Sequence, residues 1–254
     1  MRVSVCTTNY NCAHVLERHL DSVFQNLAGH SFEYIVVDNR SRDGSLEVLR
    51  SYAEGRPNMV VLSHRCTMGE GRQIAFSQSH GDYVVVLDTD VVYSSLLRQF
   101  LDAYLQNCPG LSVQAIFGGI FPREQWISSG GRRSLNTNED VDLWLRLCRL
   151  GTMRWYPVSL GENVKEAAAW GKADYLSSRY TRRERAFRLL RREWDLLKTR
   201  PVQQTNLDAL IEPNIIDFRL GPRPGRWPQS REQISIVSRL VTFMREFKQV
   251  MNSP

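Results

Sequence analysis

Apolar positions in the first ninety residues follow two alternating rhythms. Short β-branched or aromatic runs at Val3 to Thr7, Phe32 to Asp38, Met59 to Leu62 and Tyr83 to Leu87 predict strands. Between them, Val15 to Asn26, Ser45 to Ala53 and Gly71 to Ser79 carry the helical period. Tyr83 to Leu87 is apolar throughout, as suits a parallel strand covered on both faces. The β-α-β alternation predicts a doubly wound α/β domain with a mostly parallel central sheet. Ligands of such sheets bind beyond the carboxyl ends of the strands. Thr8, Asn9, Asp38, Asp88 and Asp90 stand where those ends should lie.

The rhythm changes after about residue 155. Lys165 to Arg200 is helix-prone and strongly charged, and Pro201 to Pro228 is rich in Pro, Asn and Gly. This predicts an accessory helical tail and then a long loop. Ser230 to Val250 sets Ile234, Val237, Leu240, Val241, Met244 and Phe247 at helical spacing, an amphipathic helix. The chain therefore divides into a core over 1–160 and a basic helical extension over 161–254.

Composition narrows the class. Hydrophobic residues at 42% and charged residues at 24% suit a soluble globular protein. No apolar run approaches the roughly 20 residues that span a bilayer, so neither a transmembrane helix nor a signal peptide is expected. Cys6, Cys12, Cys66, Cys108 and Cys148 are odd in number and lack CxxC spacing, which argues against a disulfide framework and a structural zinc site. A cytoplasmic setting fits best. The net charge of +6 suits phosphorylated ligands or an anionic surface. No Lys/Arg block alternates with aromatics in the manner of a nucleic-acid groove, so nucleic acid is not an expected partner.

Charge is concentrated in the extension. Arg179 through Arg200 holds nine Lys/Arg against three acidic residues, interleaved with Phe187, Leu190, Trp194 and Leu197. Beyond a plain solvated helix, this pattern suits peripheral contact with the inner face of a membrane. The C-terminal amphipathic helix equally suits a homodimer.

Candidate chemistry lies in the core. Asp88-Thr89-Asp90 follows an apolar strand, so two carboxylates leave the sheet edge together, where hard oxygen ligands meet a metal and a diphosphate. The ordinary alternative has Asp90 capping a helix that begins near Ser94. Val36-Val37-Asp38 runs into the polar turn Asn39 to Ser45, where Asp43 or Ser45 caps the next helix and Asp38 is left without a structural task. Glu139-Asp140 opens an amphipathic helix whose first turn favours acids. Asp142 should face elsewhere on that helix.

Tyr10-Asn11, Asp38-x-x-Ser41-x-Asp43-Gly44-Ser45, the Gly-rich Gly69 to Gln73, Gly81-Asp82-Tyr83 before the D-x-D, and the later Glu139-Asp140 occur in an order and spacing that resembles family 2 glycosyltransferases over roughly residues 1 to 160. The resemblance implies a GT-A fold and inverting transfer from a nucleoside-diphosphate sugar to a hydroxyl acceptor. Residues 1–90 would bind the nucleotide-sugar and 110–160 would form the acceptor side. Thr8, Tyr10 and Asp38 would hold base and ribose, and Arg72 would approach the nucleotide or diphosphate. Asp90 would ligate Mn2+ or Mg2+ directly; Asp88 would face the ribose or a metal-bound water, with Thr89 among the donor contacts. Asp140 would be the general base, with Glu139 as its substitute. Ser128 to Gly131 would be a mobile acceptor loop. Two departures stand out: Thr8-Asn9 where the family usually has Pro-Thr, and Gly71-Arg72-Gln73 where it has Ala-Arg-Asn. All five histidines precede the D-x-D, so further metal ligands must be water or phosphate.

Three rivals are weighed on the same residues. A non-catalytic nucleotide-sugar binder would lack a placed base, which Glu139-Asp140 argues against. A sugar nucleotidyltransferase would need a Gly-rich loop straight after the first strand, and Thr7 to Cys12 holds no glycine. A dinucleotide oxidoreductase would need G-x-G-x-x-G there, which is absent.

Overall fold

Strand β1 (Arg2–Asn9) lies between two parallel partners, β2 (Ser31–Asp38) and β4 (Tyr83–Leu87). In this computed structural model, which describes residues 2–164, 181–199 and 207–216, β3 (Met59–Ser63) pairs outside β2. On the other side β7 (Gly118–Pro122) pairs antiparallel with β4, followed by β6 (Ser112–Ile116) and β8 (Met153–Ser159). The order is β3-β2-β1-β4-β7-β6-β8, and only β7 runs against the rest. This is the doubly wound, mostly parallel sheet that the apolar rhythm predicts. A short ribbon, β5 (Val91–Tyr93) with β9 (Gly161–Asn163), follows the carboxyl end of β4.

Side chains alternate across the sheet and bury both faces. Val3, Val5, Tyr34, Val36 and Val85 pack with Leu16, Leu20 and Val23 of α1 (Ala13–Leu27), Leu49 of α2 (Ser45–Ala53) and Phe100 of α4 (Leu96–Asn107). Cys6, Ile35, Val37, Val84 and Val86 pack instead with Phe76 of α3 (Met68–Ser77), Trp126 of α5 (Arg123–Ser128), and Leu143 and Leu147 of α6 (Glu139–Arg149). Each fully buried aliphatic side chain contributes about 1.5–3 kcal/mol. Covering on both faces is why Tyr83 to Leu87 reads as one apolar run.

Three expectations about the elements need correction. Helix α3 starts at Met68 rather than Gly71, because Thr67 and Glu70 form a reciprocal capping box. A strand, β5, intervenes after Asp90, and α4 starts only at Leu96 with Ser95 at its N-cap, so Asp90 is not a helix cap. The stretch expected as a long loop contains α8 (Leu207–Ile211) and a 3-10 turn at Glu212–Asn214.

The described parts of the extension pack onto the core. Helix α7 (Arg182–Lys198) opens with its own capping box from Thr181 and Glu184. Ile211 is buried beneath the sheet, and Ile216 N donates to Trp155 O at 2.9 Å. The amphipathic helix expected over Ser230 to Val250 lies outside the described residues. No helix among the described residues is long and apolar enough to cross a membrane.

Candidate functional site

The loops after β1 and β2 are bonded to each other at the carboxyl edge of the sheet. Asn9 Nδ2 donates to Asp38 Oδ1 at 2.8 Å, Asn11 N to Ser41 Oγ at 2.9 Å, and Cys12 N to Ser45 Oγ at 2.9 Å. Helix α1 has no side-chain cap of its own, and Asp43 Oδ2 accepts from Ala13 N at 2.8 Å in its place. Asp43 therefore braces α1 as well as the start of α2, where its Oδ1 accepts from Ser45 N at 3.1 Å. Asn11 and Arg40 take left-handed φ values of 49° and 52°, which these cross-bonds hold in place.

Asp38 has a structural task after all. It is fully buried and accepts from Asn9, from Ser41 Oγ at 2.6 Å and from Ser41 N at 2.8 Å. The reading that left it unemployed fails because Asn9 lies 29 residues away and meets it only through strand pairing. Thr8 Oγ1 donates to Met68 O at 3.0 Å, and Tyr10 OH donates to Glu184 Oε1 of α7 at 3.0 Å. Thr8, Tyr10 and Asp38 thus share this edge.

The two acidic motifs meet on one arginine. Arg72, buried on α3, donates Nη2 to Asp88 Oδ1 at 2.7 Å and Nη1 to Glu139 Oε1 at 2.7 Å. The same Nη1 reaches Asp140 Oδ1 at 3.2 Å. Asp88 N donates to Tyr93 OH at 2.9 Å, which donates onward to Phe117 O at 2.7 Å, so the turn after β4 is fixed from below. Thr89 is buried, with Oγ1 against Cys12 Sγ, and Asp90 O accepts from Val164 N at 3.0 Å.

Arg132 is a second cation that the sequence reading misses. Its side chain is wholly buried, and its Nη1 pairs with Asp140 Oδ1 and lies 3.8 Å from Glu139 Oε1. The signal available in the sequence is the pair Arg132-Arg133 between Gly130-Gly131 and the acidic helix start. Arg133 pairs instead with Asp142, which Arg146 also holds at 2.8 Å, so Asp142 faces away from Arg72 as expected.

Ser128 to Gly131, expected as a mobile loop, forms the C-terminal cap of α5. Gly130 N donates to Ile127 O and Gly131 N to Trp126 O, each at 2.9 Å. Gly131, at φ 64°, presses on Gln73, where a Cβ would collide with Oε1. That Gln73 oxygen accepts from Trp126 Nε1 at 3.0 Å and Arg132 N at 2.9 Å.

The two carboxylates of the helix differ in reach and charge. Glu139 has 6% of its side chain exposed and Asp140 has 39%. Burial and the adjacent Asp140 push Glu139 up to about 8. Burial also pushes Asp140 upward, but Arg132 and Arg72 more than offset it and hold the carboxyl well below the usual range. Glu139 therefore holds its proton more readily, and Asp140 is the ionised, reachable group.

The donor set fits a divalent metal of the hard class. Asp88 and Asp90 offer carboxylate oxygens, and no group of three metal-binding side chains occurs among the described residues. Mg2+ and Mn2+ accept one or two carboxylates and complete their shell with water and phosphate oxygens. Asp88 and Asp90 would be the residues to hold it.

The model of the family described as Glycosyl transferase family 2 matches residues 4–164. The chain is 27% identical over 151 residues to a poly(ribitol-phosphate) beta-glucosyltransferase of Bacillus spizizenii, covering 56% of this chain and 23% of that one. It is 32% identical over 144 residues to an uncharacterised glycosyltransferase of Nostoc sp., covering 56% and 44%. The chain thus spans less than half the length of these curated relatives. Among solved structures it resembles the mannosyltransferase PcManGT from Pyrobaculum calidifontis in complex with GDP-Man and Mn2+, at TM-score 0.57 and 20% identity, covering 78% of this chain and 64% of that one. It also resembles S. aureus TarS in complex with UDP, at TM-score 0.54 and 15% identity, covering 63% and 59%. At these identities the structural likeness is one of fold.

Proposed function

Because the chain belongs to glycosyl transferase family 2, we propose that it transfers a sugar from a nucleoside-diphosphate sugar to a hydroxyl acceptor with inversion at the anomeric carbon. The observation that carries this reading is the meeting of the D-x-D and the Glu139-Asp140 pair on Arg72 at the carboxyl edge of the sheet. In-line displacement needs a group that accepts the acceptor's proton and positive charge at the departing diphosphate. Asp140, the exposed and ionised carboxylate, takes the proton. As the acceptor oxygen bonds to the anomeric carbon, the bond from that carbon to the diphosphate oxygen breaks. A divalent metal, when bound by Asp88 and Asp90, supplies Lewis-acid charge to the leaving group.

Residues 1–90 serve the donor on this reading. Thr8, Tyr10 and Asp38 border base and ribose, with Asp38 acting through the turn it braces. Residues 110–160 supply the acceptor side. The complexes of the fold relatives with GDP-Man and Mn2+ and with UDP support such a donor and metal. The polyol-phosphate substrate of the Bacillus relative supports a hydroxyl acceptor. Phe187, Leu190, Trp194 and Leu197 are all more than half exposed along α7 beside basic neighbours, which supports peripheral contact with an anionic membrane face.

Calorimetric titration with UDP, GDP and dTDP, with and without Mn2+, tests the reading on the wild type and on Asp90→Ala. Metal-dependent binding that Asp90→Ala abolishes is expected. Failure of all three nucleotides to bind in either condition overturns it.

A further inference from the structure

Arg132 is enclosed, but the protein engages only part of its guanidinium. Nη1 serves Asp140, whereas Nε and Nη2 are buried without a hydrogen-bond partner. Arg72 leaves its own Nε in the same condition. Buried charged donors left unmatched are costly, so a guanidinium with two of them calls for an acceptor that the protein does not supply.

The stem of Arg132 is firmly mounted, and one edge of its head is unengaged. Its backbone N is bonded to Gln73, its guanidinium lies 5.7 Å from the Trp126 ring centroid, and Gly131 before it is wedged against Gln73. An acceptor for the unengaged edge of a buried cation is best anionic. A phosphoryl group suits the Nε and Nη2 fork, which forms paired bonds with two oxygens.

We propose that Arg132 seats a phosphoryl group of the bound substrate through Nε and Nη2 while its Nη1 keeps Asp140 in place. The subsite presupposes the transferase reading above. The phosphoryl oxygens come from the donor diphosphate or from a phosphate on the acceptor, and the arms of one experiment separate these sources.

Wild type, Arg132→Gln and Arg132→Lys are titrated calorimetrically with the nucleoside diphosphate that the wild type binds, with the matching nucleoside, and with inorganic phosphate after saturation by nucleotide and Mn2+. Thermal unfolding of each variant accompanies the titrations. If the donor is the source, both variants lose about tenfold to a hundredfold in nucleoside diphosphate affinity, while nucleoside affinity is unchanged. If the acceptor is the source, nucleotide affinity is unchanged and phosphate binding to the saturated protein is lost. Lysine keeps the charge without the fork, so it decides the matter if Arg132→Gln does not fold. Wild-type affinities for both nucleotide and phosphate in a folded variant overturn the subsite alone. A wild type that binds no nucleotide overturns the transferase reading, and the subsite falls with it.

Discussion

Arg72 and Asp88 meet at 2.7 Å at the head of β4, with Arg72 Nη1 holding Glu139 at the same distance on its other side. One side chain therefore joins two acidic motifs that lie far apart in the sequence. Replacing it by Met leaves Glu139 buried with only Arg132 nearby at 3.8 Å. Leaving a buried polar group without its hydrogen-bond partner typically costs about 1–3 kcal/mol. Urea unfolding of Arg72→Met should show a loss of that order, and Arg72→Lys should recover only part of it, since an ammonium cannot bridge both carboxylates. A loss under about 1 kcal/mol would mean that the network is not holding the site.

Gly71 and Thr8 are fitted to each other. A Cβ on Gly71 would sit 2.5 Å from Thr8 Oγ1, 2.6 Å from Thr8 Cγ2 and 2.9 Å from Cys66 Sγ. Glycine at 71 is thus the counterpart of threonine at 8. Gly71→Ala should destabilise by about 1–3 kcal/mol through overpacking, and Thr8→Ala in the same chain should restore most of it. Purely additive effects in that double-mutant cycle would break the link.

Much of the site is legible where a motif coincides with a strand end. Asp88 and Asp90 follow an uninterrupted apolar strand, and Glu139-Asp140 opens a helix whose Leu143 and Leu147 mark the buried side. What stays hidden depends on which surfaces meet. Arg132 reads as one of many surface arginines until Gln73, 59 residues earlier, fixes its backbone. Asp43 caps α1 from 30 residues away, and Asp38 serves Asn9 across two strands. The start of α3 was open to reading, because Thr67 and Glu70 have the capping-box spacing; Gly69 and Gly71 disguise it as loop.

His19 makes stability depend on pH without entering the chemistry. It is fully buried, with Nδ1 2.8 Å from Val91 O and Nε2 2.8 Å from Tyr34 OH. The carbonyl can only accept, so Nδ1 carries the proton and Nε2 accepts from Tyr34, which requires the neutral ring. Burial lowers its pKa from 6.5 to about 4. The unfolded chain takes up the proton first, so the contribution is present above pH 6.5 and is lost as the pH falls towards 4. The loss is on the order of 3 kcal/mol. Urea unfolding between those limits should show this slope in the wild type and a flatter one in His19→Gln; parallel slopes would exclude His19 as the source.

Asp140 and Glu139 compete for the role of base, and exposure favours Asp140. Because kcat/KM reports the free protein, the low pKa of Asp140 predicts no loss of activity near pH 8, and an acid limb only near 6, where burial places the Asp88 carboxyl. Were Glu139 the base, with its pKa pushed up to about 8, activity would already fall from there as the carboxylate takes its proton. Asp140→Asn should lower kcat by about 10²–10⁴ with donor affinity retained, since only proton acceptance is removed. Glu139→Gln copies the neutral form that burial already favours, so kcat should stay within about tenfold. The reverse ranking, together with an acid limb that begins near pH 8, would transfer the role to Glu139 and leave Asp140 as the countercharge of Arg132.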